Sequence, residues 1–141
     1  MHSELFDVEY CKQTNLNGGI KSMNATIIHK PNVKESVLDE LAKELPAIIA
    51  EVMQVLGGNL AILKPKQVSL EFTQASPRDV GSDIRVIVFA RSNDPRTSTE
   101  NDRAAAILEK VIAMIARSGG EYSVDIRLYL MEIGAAEHLK S

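Results

Sequence analysis

Ile84-Arg-Val-Ile-Val-Phe-Ala90 opens the stretch that decides the fold, which runs on to Met131. These seven residues are the most β-prone run in the chain, dominated by branched and aromatic side chains. Residues 99–117 then carry Ala104, Ile107, Leu108, Val111 and Ile115 at helical spacing, with Thr99 as expected N-cap and Asp102 three residues on. Gly119-Gly120 supplies the stop. Val124-Asp-Ile-Arg-Leu-Tyr-Leu-Met131 alternates apolar and polar again. Strand, capped helix, glycine stop and strand make a βαβ unit. Such a unit requires a parallel strand pair with a helix laid across one face.

The residues ahead of it follow the same plan. Residues 24–29 read as a strand ended by Pro31, and Asn32 with Glu35 reads as a helix start. Val37, Leu38, Leu41, Leu45, Ile48, Ile49, Val52, Val55 and Leu56 form one apolar stripe of about six turns. Pro46 inside it predicts a kink or a break into two helices, and Gly57-Gly58 a stop. Val68, Leu70 and Phe72 alternate with polar neighbours in a second strand, and residues 75–82 read as a loop. The order is β-α-β-β-α-β, an α+β class with a four-stranded mixed sheet and two helices on one face. Residues 1–22 stand apart as an extra edge strand around Phe6, Val8 and Tyr10, or as an extension before a single domain at 23–141.

Sorting the strands by alternation gives two faces. Val68, Leu70, Phe72, Ile84, Val86, Val88, Val124, Ile126, Leu128 and Leu130 fit a face covered by the helices. Glu71, Thr73, Arg85, Ile87, Phe89, Arg91, Asp125, Arg127, Tyr129 and Met131 fall on the other. Apolar groups among charges of both signs suit a subunit interface better than a plain solvent face.

Composition narrows the function classes. A net charge of −3 gives no broad electrostatic grip on nucleic acid or anionic lipid. No apolar run approaches a membrane span of about 20 residues, and no signal peptide is visible. The lone Cys11 cannot form an internal disulfide, which suits a reducing cytoplasm. His2, His29 and His138 share no metal-ligand spacing, so neither metal nor cofactor is expected. No nucleophile, base and orienting group stand together. Gly19-Ile-Lys-Ser22 lacks the spacing of a phosphate loop. Arg85, Arg91, Arg96 and Arg103 are expected to gather at the C-terminal end of the third strand. There they would either pair with Asp94, Glu100 or Asp102, or grip a carboxylate with their guanidinium forks.

The pattern from Met23 to Glu137 resembles the tautomerase superfamily, the fold of macrophage migration inhibitory factor and 4-oxalocrotonate tautomerase. Three runs carry the resemblance beside the element order: Lys64-Pro-Lys-Gln-Val68 leading into the second strand, Glu100-Asn-Asp-Arg103 opening the second helix, and residues 123–131 as the last strand. The resemblance implies trimers whose sheets line a central barrel. It also implies a pocket between subunits where an N-terminal proline amine acts as acid or base. Here Met23-Asn24 stands at that start, and twenty-two residues precede it. The expectation is therefore a trimer without proline-based catalysis that binds a small anionic ligand through Lys64, Arg91, Arg127 and Tyr129. Two alternatives stay open: an isomerase acting on a small carboxylate through Lys64 or the arginines, and a ferredoxin-like regulatory module, which shares the element order.

Overall fold

The computed structural model describes residues 23–55 and 62–140. The expected strand near Phe6 and the glycine stop at Gly57-Gly58 lie outside these residues. Four strands form one sheet: β1 (Met23–His29), β2 (Val68–Gln74), β3 (Ile84–Arg91) and β4 (Val124–Met131), in the order β2-β1-β3-β4. β1 pairs parallel to β2, β3 pairs parallel to β4, and the two central strands run antiparallel. Each βαβ unit therefore keeps its two strands as neighbours. A ferredoxin-like chain splits each unit by inserting another strand, so that alternative falls.

Two long helices, α1 (Glu35–Met53) and α2 (Glu100–Arg117), cover one sheet face. Their apolar stripes supply Val37, Leu41, Leu45, Ile49 and Met53 from α1, and Ile107, Val111 and Met114 from α2, all essentially inaccessible. They meet Met23, Ala25, Ile27, Ile84, Val86 and Val88 of the central strands. Each such side chain contributes about 1.5–3 kcal/mol by leaving water. The register puts all ten side chains expected on the covered face there. Phe72 is the exception in burial: it lies on that face of edge strand β2 yet is 37% exposed.

Helix ends depart from the local signals. α1 is one continuous helix through Pro46 and stops at Met53, a turn short of the apolar stripe. Its N-cap is Lys34 rather than Asn32, with no side-chain cap. Tyr122 supplies the missing polar contact instead: its hydroxyl accepts the Lys34 N–H at 3.1 Å and donates to the Asn32 carbonyl at 3.4 Å. Thr99 is the N-cap of α2, but its hydroxyl makes no capping bond; it donates to the Pro95 carbonyl at 2.6 Å and accepts from Arg103 Nε at 2.8 Å. A one-turn helix (Asp94–Thr97) occupies the turn before it. The α2 stop is as expected. Gly119 takes φ +77°, a left-handed backbone, and the Gly119 and Gly120 amides return to the carbonyls of Ala116 and Ile115.

Candidate functional site

The C-terminus of α1 comes without a cation of its own. Its last turn holds no basic residue, although the last carbonyls of a helix carry partial negative charge and need donors. Two arginines from far along the chain fill that role. Arg103 Nη1 donates to the Val52 carbonyl at 2.7 Å and to the Gln54 carbonyl at 3.1 Å. Arg96 Nε donates to the Met53 carbonyl at 3.2 Å, and its Nη1 to the Arg91 carbonyl at 2.9 Å. Asn93 aims Arg96 by capping the one-turn helix through the Arg96 amide at 2.9 Å.

Arg91, Arg96 and Arg103 therefore gather at one end of the molecule, the end where β1 begins. Met23 is fully buried there and pairs with Val68 and Ala90. Burial, with the charges of Arg103 and Arg91, pulls the Arg96 guanidinium below its usual pKa; it stays protonated. Among the described residues none of the three meets a carboxylate in an ion pair, so the expected pairing with Asp94, Glu100 or Asp102 is absent. Arg96 and Arg103 each keep an Nη2 without a hydrogen-bond partner among the described residues. Arg85 does not join them. It sits at the opposite end of β3, bound to Asp79 at 2.6 Å.

The four residues expected to hold a ligand separate into two places. Lys64 is exposed and precedes the 3-10 turn Pro65–Gln67 that leads into β2, its amide bonded to Gln67 Oε1 at 2.8 Å. Arg91, Arg127 and Tyr129 share the face of the sheet away from the helices. Arg127 is already matched by Asp125 at 3.1 Å, which raises its pKa. Tyr129 is 48% exposed and its ring stacks at a tilt on Phe89, centroids 5.5 Å apart. β2 and β4 are opposite edges of the sheet, three strand spacings or about 14 Å apart. One subunit therefore cannot close Lys64 and Tyr129 on the same small molecule. Arg96 and Arg103 had a sequence signal only as members of an arginine-rich segment; the carbonyls they cap at the end of α1 lie more than forty residues away.

Among solved structures, the fold matches a macrophage migration inhibitory factor-like protein from Entamoeba histolytica, 12% identical, with TM-score 0.52 over 79% of this chain and 90% of that one. A fused 4-OT, solved as an asymmetric trimer, is 8% identical with TM-score 0.56 over 79% and 91%. A malonate semialdehyde decarboxylase, described with decarboxylase and hydratase activities, is 9% identical with TM-score 0.53 over 77% and 84%. No protein-family model and no curated protein sequence matches the chain. At these identities what the chain shares with these proteins is the fold alone.

Proposed function

From that fold as premise, we propose that the chain is a divergent tautomerase-like protein that assembles as a homotrimer in a reducing cytoplasm. It binds a small carboxylate or similar anion at the arginine-bearing end without proline-based catalysis. The observation that carries this reading is the group Arg91, Arg96 and Arg103, three guanidiniums without a carboxylate among the described residues, beside the start of β1. Planar forks with free N–H groups grip carboxylates in two-point fashion. The position where the superfamily places its amine base is here a buried methionine within the strand. Lys64 and the pair Arg127 and Tyr129 sit on opposite sheet edges, so in this reading a neighbouring subunit brings Tyr129 and Arg127 toward Lys64.

The test pairs binding with turnover, using phenylpyruvate as the probe. Calorimetry should give saturable binding that weakens about tenfold or more in Arg91→Gln, a change at an exposed side chain that leaves both helix-capping arginines in place. Keto–enol turnover should stay within the buffer rate, because a positioned acid–base group is typically worth about 10²–10⁴-fold and none is identified. Turnover that vanishes in Lys64→Ala would replace binding by catalysis through that lysine. Absence of saturable binding would end the ligand reading.

A further inference from the structure

Rows of side chains cross the sheet face that the helices leave uncovered. One row runs Glu71, Thr26, Ile87, Arg127, from edge strand β2 to edge strand β4. Its two ends carry opposite charge, and each keeps capacity for a partner. Arg127 meets Asp125 through Nε alone, at 3.1 and 3.2 Å, so its Nη groups have no partner among the described residues. Glu71 receives the Thr26 hydroxyl on Oε1 at 3.4 Å, and its Oε2 has no partner among the described residues.

The helix-covered face is unfinished at the same two edges. Ile84, Val86 and Val88 of central strand β3 are inaccessible there, whereas Ile126 and Leu128 of β4 are only partly buried. Leu70 of β2 is likewise partly buried, and the Phe72 ring stands more exposed still. An edge strand also offers a row of backbone N–H and C=O groups, a template for another strand. Both faces and both edges thus point to the same kind of cover.

We infer that β2 of one copy lies against β4 of a second copy, with Glu71 opposite Arg127 of the partner subunit. The contact rests on the homotrimer proposed above and gives it a register. β2 and β4 run antiparallel to each other within the sheet, since β1 is parallel to β2 and antiparallel to β3, and β3 is parallel to β4. Head-to-tail addition with the helices on one side therefore extends the sheet by an antiparallel ladder. The side chains choose the register. A slip of one residue sends every apolar side chain to the wrong face. A slip of two sets Glu71 against Asp125 or Tyr129 of the partner subunit and loses the ion pair. In the chosen register Phe72 meets Ile126 of the partner subunit, and Ser69 meets Tyr129 of the partner subunit. Lys64, just before β2, then stands at the end of the ladder where that phenol arrives, so two copies complete one ligand site. Pairing β2 with itself would crowd two Glu71 carboxylates, and pairing β4 with itself would leave Phe72 uncovered. The contact is therefore head to tail, the kind that closes into a ring.

Sedimentation velocity on the full chain at micromolar concentration reads the contact, and the unchanged chain is expected as a trimer. Glu71→Arg and Arg127→Glu, both at exposed positions, should each weaken assembly about tenfold or more by setting like charges together. The two changes combined should recover most of that loss. Thr73→Cys with Asp125→Cys, in a Cys11→Ser background, should form interchain disulfides on oxidation, because residues directly opposite on antiparallel strands bring their Cβ atoms within bonding reach. Amide spectra identify loss of fold; should either charge reversal unfold the chain, the cysteine pair decides alone. A trimer indifferent to both reversals, or one that forms no cross-link, would overturn this contact and leave the trimer itself standing. A monomer would remove both, and a two-fold dimer would overturn the head-to-tail arrangement.

Discussion

Asp83 and Ser123 hold each other across the start of the β3–β4 ladder. The Ser123 amide and hydroxyl donate to Asp83 Oδ2 at 3.0 and 3.2 Å, and the Asp83 amide donates to the Ser123 hydroxyl at 2.9 Å. The Ser123 amide is the chief reason that the Asp83 carboxyl sits below its ordinary pKa, with Lys30 adding to it. The sign of the consequence follows. An unfolded Asp titrates near 3.9, so as pH falls the unfolded chain takes up this proton first. The stabilisation is complete above that value and is lost as pH drops through the folded one. Asp83→Asn should therefore cost about 1 kcal/mol at pH 7 and progressively less below about pH 4. Urea unfolding at neutral and acid pH measures both, and a penalty equal at the two would refute the account.

Pro46 is the element-scale oddity, a proline at the twelfth position of a nineteen-residue helix. It withholds one backbone bond, and an interior proline typically costs about 3 kcal/mol against alanine. Because α1 runs through it unbroken, Pro46→Ala should leave the fold intact and raise the melting temperature; a lower one would mean that the helix needs the interruption. The helices also mark how far the sequence could be read. Apolar spacing is a property of neighbours in the chain, so the α1 and α2 stripes, the alternation of β3 and β4 and the Gly119 stop were all visible. The ends of α1 were not. Tyr122 stands in for the Asn32 cap from some ninety residues away, and Arg96 and Arg103 cap α1 from more than forty. Those pairings exist only after the sheet has brought the two units together. For the same reason the arginine-rich run was legible as composition, while the removal of Arg85 to the far end of β3 was not.

At the scale of the whole molecule, the described residues cover the sheet on one face only. Ile87, Phe89, Tyr129 and Met131 lie on the other, with Tyr129 and Met131 exposed, and β2 and β4 are the edge strands among the described residues. Light scattering at micromolar concentration should report about three times the 15.5 kDa subunit mass, and Tyr129→Glu should lower it by placing a charge on that face. A monomer of unchanged chain would sink the trimer. The antiparallel β1–β3 seam carries a different consequence. It joins two units that are each continuous in sequence, linked by a loop whose Pro77 and Arg78 are exposed while Asp79 stays with Arg85. The seam and the helix contact are then enough to define a recognition surface between halves. Two separately expressed pieces, divided at Pro77–Arg78, should find each other in solution and reconstitute one cooperative unfolding transition; two pieces that stay apart would show that the linking loop is required for the halves to meet.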